Sequence, residues 1–347
     1  MASPQQGRYQ QTQTTVADPR TPLHVGPLPS PSLSIPGHSL LVSSIYVAIG
    51  LILLMGASDR FVESAVRLAR TLGVSIVLIG ALIVGLGTSI PELLVSSIAS
   101  VDGKIDIAMA NVTGSNVANV TLVLGAAAML APIRSRTLIL RREGVLMLIA
   151  VTALAVALWD GAVSRVEGIG LLAGMVVTLI LLVRWSASDP DGIVELEEGA
   201  EAHSIPGEIL IGVAALVITV FAANLLLDGA LDLGERFGLG EGFLGILLGV
   251  GTSLPELATT MAAVRRRESD LVIGNVLGSN LFNSFAVAGT AVVVGPGVLT
   301  DLAKPSLVAM LAVVILAGWF AWQDTKIVRR EGVVLLTIFV VFAALSY

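Results

Sequence analysis

Long apolar runs alternate with short polar breaks from residue 38 to the end of the chain. Runs of about 20 residues match the hydrocarbon thickness of a bilayer when folded as α-helix. Ten spans are predicted, at roughly 38–58, 74–100, 105–130, 137–158, 165–185, 205–232, 242–264, 271–294, 306–322 and 331–346. The first is expected to continue as an amphipathic helix through Arg70. Two segments fall outside this pattern. Residues 1–37, rich in Gln, Pro, Ser and Thr, cannot bury a core and are expected to form a disordered N-terminal tail. Their apolar content begins too late for a signal peptide and ends in no small-residue cleavage site. Residues 186–204, SASDPDGIVELEEGAEAHS, are acidic and divide the spans five and five. They read as a solvated linker. A regulatory calcium-binding loop is the sharper alternative, but the EF-hand pattern is missing.

The two halves carry the same pattern. GLGTSIPELL at Gly85 matches GVGTSLPELA at Gly249, and NVTGSNVANV at Asn111 matches NVLGSNLFNS at Asn275, all at an offset of 164. One offset held across two successive spans indicates structural duplication rather than chance. Five spans is an odd number, so the second unit enters the membrane from the opposite side. Inverted repeats with interrupted helices are the sequence pointer to a secondary transporter. The expected fold is therefore an all-α polytopic membrane protein of ten transmembrane helices, with a first five-helix repeat over 38–185 and a second over 205–347.

Composition agrees. The 347 residues are 55% hydrophobic and 13% charged, about half the charge of a soluble domain. A net charge of −6 gives no sign of nucleic-acid binding, and the absence of cysteine excludes disulfides and thiolate metal sites. The histidines, His24, His38 and His203, all lie in or beside polar segments, so an intramembrane histidine dyad is not expected. If the N-terminus faces outward, 14 of the 20 Lys and Arg residues fall on the inner side and 6 on the outer. Without the extension of the first helix the bias is still 11 to 6. The positive-inside rule then places both termini outside, with the linker cytoplasmic.

The matched segments contain the chemistry. A carboxylate at a membrane-helix centre costs roughly 2.5–3.5 kcal/mol on insertion scales, and this chain has two, Glu92 and Glu256, with no Lys or Arg in the core of any span. A bound cation or a proton must balance them; a lone structural glutamate would be protonated, but two at symmetric positions with the same neighbours argue for a site. Thr88 and Ser89 lie four and three residues before Glu92, on one helical face. Pro91 lacks an N–H and crowds the carbonyl of Gly87, and Pro255 does the same to Gly251, so backbone oxygen should be freed. Hydroxyls, carbonyls and carboxylates are hard ligands that suit Ca²⁺ and also Na⁺. A second polar stripe is formed by Ser115 with Asn119 and by Ser279 with Asn283, each pair four apart. These four are read as ligands, whereas Asn111, Asn275, Asn116 and Asn280 are read as structural hydrogen bonders.

GTSIPE…NVTGSNVAN, repeated as GTSLPE…NVLGSNLFN, resembles the α-repeats of the sodium/calcium exchanger family, within the cation/calcium antiporters. The likeness runs over residues 40–346, including GASDRFVESAVRLARTLGVS at the end of the first helix. The resemblance implies that Thr88, Ser89 and Glu92 are ion ligands of the first repeat and Thr252, Ser253 and Glu256 those of the second. It adds Ser115 and Asn119 from the third helix and Ser279 from the eighth, with backbone carbonyls at Gly85 and Gly249. Gly85 and Gly87, with their partners Gly249 and Gly251, thus stand as alternatives for the carbonyl. Asn283 replaces an aspartate found in some members, which puts potassium coupling in doubt.

The implied function is antiport of Ca²⁺ against Na⁺ at a midplane site by alternating access, with a Ca²⁺/H⁺ (or other cation/H⁺) antiporter as the alternative. No cofactor is expected beyond the transported ions. The partners are Ca²⁺, Na⁺, H⁺ in the alternative reading, and the lipid bilayer. The protein is expected to work as a monomer in a prokaryotic plasma membrane. Two rival classes are weaker. A channel would need no opposing ion gradient. An intramembrane hydrolase built on Ser89 or Ser253 lacks a histidine and has no use for two near-identical sites.

Overall fold

In the computed structural model the chain is described over residues 39–188, 204–240, 244, 247, 250–299 and 303–346. The predicted disordered tail 1–37, the acidic part of the linker and Gly249 lie outside the described residues.

The described chain is almost entirely helical. Helix α1 (Leu40–Leu72) starts where the Ser39 hydroxyl accepts the N–H of Val42, and ends where Gly73 turns left-handed at φ 63°. The span and its amphipathic extension are thus one helix of 33 residues, about 50 Å long. Next come α2 (Ile76–Thr88) and α3 (Ile90–Val101), which meet at a bend of 44°. The bend falls at Ser89, and Pro91 sits in the first turn of α3, where its missing N–H is no loss. The predicted single span 74–100 is therefore a broken one. Helices α4 (Ile105–Leu130), α5 (137–157) and α6 (Arg165–Ala187) complete the first half. The second half has α7 (Ile205–Arg236), α8 (Leu254–Arg265), α9 (Ser269–Val294), α10 (Ala303–Asp324) and α11 (Arg329–Ser346). By length and composition, six of the helices can each cross a membrane, and the bent α2–α3 pair makes a seventh.

The 164-residue offset holds in the backbone. Ile90–Val101 maps onto Leu254–Arg265, and Ile105–Ala118 maps onto Ser269–Phe282. Even the irregularities repeat: α4 widens into a π-helical turn over Asn119–Val123, and α9 does so over Asn283–Val287. Two short antiparallel ribbons tie the halves together. β1 (Ile133–Arg134) pairs with β4 (Lys326–Ile327), Ile133 opposite Ile327. β2 (Ala162–Val163) pairs with β3 (Gly297–Val298), Val163 opposite Gly297. Adding 164 to one register gives the other. The ribbons lie at opposite ends of α5, since β1 precedes that helix and β2 follows it.

Burial sorts the helices. In α9, 89% of the apolar window is buried, against 17% in α1, so α9 is central and α1 peripheral. Helix α4 is also largely enclosed. Helices α1 and α7 lie side by side outside this core. Ser43 donates to Asp232, Ser64 to the Glu208 carbonyl at 2.6 Å, and Arg67 to the Glu208 carboxylate at 3.2 Å. Their outer faces expose Leu41, Ile52, Leu210 and Val217, as expected of helices facing lipid.

Candidate cation site

Both glutamates sit in the first turn of a half-helix that begins at a break, Glu92 in α3 and Glu256 in α8. That position places each carboxylate at the positive end of a helix dipole. Both side chains are buried, at 0% and 1% exposure, and among the described residues neither has a cationic partner. Glu92 and Glu256 are brought together through the two motifs. Ser89 Oγ, from the first motif, donates to Glu256 Oε1, in the second, at 2.9 Å. Ser115 Oγ donates to Glu92 Oε1 at 3.4 Å. Ser279 Oγ, from α9, donates across to the Gly85 carbonyl at 3.1 Å. The carbonyl that reaches the opposite half is thus that of Gly85, whereas the proline argument pointed to Gly87.

The crossing that allows this contact is very tight. A Cβ placed on Gly278 would lie 2.3 Å from the Ala81 carbonyl oxygen, and one on Gly85 would lie 2.7 Å from the Ser279 nitrogen. Only glycine lets α9 pass this close to the π-helical turn Gly80–Gly85 of α2. π-Turns cluster at functional sites because one extra residue per turn redirects side chains and backbone. Here they also begin at Asn119 and at Asn283. The turn holding Asn119 packs against α8, which carries Glu256; the turn holding Asn283 packs against α3, which carries Glu92.

Several polar atoms in this region are buried and unpartnered: Glu92 Oε2, Glu256 Oε2, Ser253 Oγ, and both amide atoms of Asn119 and of Asn283. Buried polar groups are ordinarily satisfied. The five oxygens among these atoms, on the two motif segments and on α4 and α9, have the chemistry of a hard-cation donor set. Thr88 is buried and donates its hydroxyl back to Val84 O at 2.9 Å, leaving its oxygen lone pairs available. Thr252 is half-buried. The asparagines read as structural all donate from Nδ2, although Oδ1 of Asn116, Asn275 and Asn280 is also buried and unpartnered. Asn111 Nδ2 holds Ser96 Oγ at 3.0 Å and Asn275 Nδ2 holds Thr260 Oγ1 at 2.8 Å, and each amide also reaches the main-chain oxygen of its own motif's glutamate at 3.4 Å. Asn116 Nδ2 bridges to Ser284 at 3.0 Å, and Asn280 Nδ2 returns to Val276 O at 2.7 Å. The supporting hydroxyls Ser96 and Thr260 escaped the sequence reading. They too are 164 apart, one helical turn past each glutamate, and the repeat could have found them.

Comparison with known proteins gives the family. The family described as "Sodium/calcium exchanger protein" matches residues 42–184 and 208–347. Inner membrane protein YrbG of Escherichia coli (strain K12) is 34% identical over 317 residues, covering 89% of this chain and 98% of that protein. Sodium/calcium exchanger MaX1 of Methanosarcina acetivorans is 29% identical over 358 residues, covering 89% and 99%. Among solved structures, the sodium-calcium exchanger NCX_Mj soaked with Na⁺ and Sr²⁺ superposes with a TM-score of 0.74 at 28% identity, over 89% of this chain and 99% of that one. With a match over most of its length and paired buried carboxylates at its centre, the chain belongs to the sodium/calcium exchanger protein family and is a membrane antiporter, not an enzyme.

Proposed function

We propose that this protein exchanges Ca²⁺ against Na⁺ by alternating access, binding both ions at one site made by Glu92 and Glu256. The observation that carries this reading is the Ser89–Glu256 bond at 2.9 Å, beside two carboxylates that each keep one oxygen unpartnered in a buried site. The ligand set proposed is Thr88, Ser89, Glu92, Ser115, Asn119 and the Gly85 carbonyl from one half. From the other half come Thr252, Ser253, Glu256, Ser279, Asn283 and the Gly249 carbonyl. With both acids ionised the empty site holds two negative charges. One Ca²⁺ neutralises it, as do two Na⁺, and a third Na⁺ leaves one positive charge. Exchange of three for one then moves one net charge per cycle, worth about 2.3 kcal/mol per 100 mV. An empty, doubly negative site resists crossing a low-dielectric core, which makes transport obligatory exchange rather than leak.

The remaining architecture follows the same reading: ten transmembrane helices in two inverted five-helix repeats, 38–185 and 205–347, joined by a cytoplasmic linker. Both termini would lie outside, in a prokaryotic plasma membrane, with one chain as the working unit. Three features support the inversion: the repeated π-turns, the matched half-helices, and ribbons of matching register at opposite ends of α5. The test is Ca²⁺ uptake into vesicles containing the purified protein, with sodium, potassium or proton gradients imposed one at a time. Uptake driven by sodium alone is expected. Uptake driven by a proton gradient and indifferent to sodium would replace Na⁺ with H⁺ at the same carboxylates.

A further inference from the structure

Beyond ion exchange, we infer that the membrane face carrying β1 and β4 holds a binding site for an anionic phospholipid, with the phosphate in a charged cavity and an acyl chain in an apolar groove beside it. The cavity has a volume of about 640 Å³ and is lined by Arg134, Ser135, Arg136, Arg267 and Lys326, together with Glu268, Asp270 and Asp324. Each acid has a basic partner: Glu268 pairs outside the cavity with Arg70 at 3.4 Å, while Asp270 pairs with Arg136 at 4.0 Å and Asp324 with Lys326 at 3.9 Å within it, which leaves Arg134 and Arg267 to set its charge. Among the described residues Arg134 and Arg267 have no acidic partner. Ser135 is 8% exposed, and its hydroxyl is buried without a hydrogen-bond partner. Unpaired guanidinium groups above an unsatisfied hydroxyl are the donor set of a phosphate.

A second cavity of about 310 Å³ adjoins it, lined almost wholly by apolar side chains of α4, α5, α9 and α10. The two run along the same elements. Asp270 lines the first and Ile273 the second; likewise Arg136 and Leu140, Asp324 and Trp322, Lys326 and Ile327. The steps are one to four residues, so the charged and apolar cavities are neighbours along these elements. Arg141 lies 5.6 Å over the ring of Trp322, and Trp319 and Trp322 are both about half exposed. Tryptophans of this kind mark the headgroup level, and basic pockets between membrane helices on the cytoplasmic side are suited to acidic lipid headgroups.

The internal repeat shows that the fold does not require these charges. The positions 164 residues from Arg134, Arg267, Thr325 and Lys326 are Val298, Gly103, Gly161 and Ala162. Gly103 and Gly161 adopt φ of 75° and 78°, where glycine is unstrained. Arg267 and Thr325 hold the same left-handed conformation, at φ 62° and 52°, with side chains attached. Both line the charged cavity. Glycine would serve the turn better, so at Arg267 a cationic side chain is kept where the backbone disfavours one.

The experiment is native mass spectrometry of the full chain, purified in a neutral detergent and titrated with phosphatidylglycerol or with phosphatidylcholine of the same acyl chains. Wild type is expected to retain phosphatidylglycerol at least tenfold better than phosphatidylcholine. The pair Arg134→Ala with Arg267→Gly is expected to abolish that preference while leaving the unfolding temperature unchanged or raised, because glycine relieves the turn. Gly318→Leu fills the groove, where a Cβ meets nothing within 4 Å, and should reduce retention of both lipids. Equal retention of phosphatidylglycerol by wild type and the Arg134/Arg267 variant would overturn the inference. So would displacement of the lipid by inorganic phosphate at matched concentration, which would make this a site for a soluble anion.

Discussion

Glu256→Gln isolates charge from shape. The carboxamide has the outline of the carboxylate, and its oxygen can still accept the Ser89 hydroxyl, now 2.9 Å from Glu256 Oε1. The fold should survive. What changes is the charge of the empty site, from two negative to one. For a cation centred about 4 Å from the lost charge, at an effective dielectric of about 20, a unit charge loses about 4 kcal/mol and a divalent ion about 8 kcal/mol. The glutamine no longer has to be desolvated as an ion, which offsets part of this loss. If half remains, Ca²⁺ binding weakens by about 4 kcal/mol, roughly a thousandfold, and Na⁺ binding by about 2 kcal/mol, roughly thirtyfold. Calorimetric titration of wild type and variant with each ion measures both. Sodium-dependent Ca²⁺ uptake by the variant should be undetectable. Ca²⁺ affinity within tenfold of wild type, or equal losses for the two ions, would refute the assignment of Glu256 as a charged ligand.

Two further substitutions probe the frame around the carboxylates. Ser89→Ala removes a buried donor to Glu256, worth about 1.5–3 kcal/mol when its acceptor is charged. Ca²⁺ affinity should fall roughly 10- to 100-fold, as read by the same titration, with little change in unfolding temperature. Gly278→Ala forces a methyl to within 2.3 Å of the Ala81 carbonyl oxygen, a contact that only backbone separation can relieve. It should destabilise the protein by about 1–3 kcal/mol or more, lower the unfolding temperature, and impair exchange by pulling Ser279 away from Gly85. Unchanged exchange in this variant would mean that the close crossing of α9 over α2 does not set the site.

Much of this was legible in the sequence because duplication made it so. The offset fixed which residues correspond, and the expense of a buried acid indicated that Glu92 and Glu256 need a common partner. Among the described residues helix boundaries fell within a few residues, since the bilayer sets a length and Ser39, Gly73 and Pro91 mark ends; the start of the span predicted at 242–264 lies outside them. The π-turns at Asn119 and Asn283 were not legible. Nothing in NVTLV or NSFAV differs from an ordinary helical sequence, and the widening arises from what packs against it. For the same reason the proline rule indicated Gly87, one local clash, while the carbonyl that meets the opposite half is Gly85, chosen by the passage of α9. The charged cavity was missed for another reason: Lys326 lies far along the chain from Arg134 and Arg136 and is brought beside them by the pairing of β1 with β4.

The duplication is not perfectly mirrored in the site, and the departure bears on how the site works. Ser89 reaches the glutamate of the other half, so its symmetry mate Ser253 would be expected to reach Glu92. Instead the Ser253 hydroxyl is buried and unpartnered, and Glu92 takes its hydrogen bond from Ser115 in its own half. One motif is thus locked to the opposite half and the other is open. Two equal halves bound symmetrically would form one rigid state facing both sides alike. The alternating access proposed above requires two states of nearly equal energy. Repeats in which the cross-bond could pass from one motif to the other would supply such a pair, because closing Ser253 on Glu92 while releasing Ser89 from Glu256 preserves the number of hydrogen bonds. If that exchange of contacts accompanies transport, Ser253→Ala should weaken Ca²⁺ binding by the loss of one ligand oxygen and slow net exchange further than the weaker binding alone accounts for. Ser89→Ala, by contrast, should slow exchange only in proportion to its loss of binding. Equal ratios of exchange rate to Ca²⁺ affinity in the two variants would show that the asymmetry carries no function.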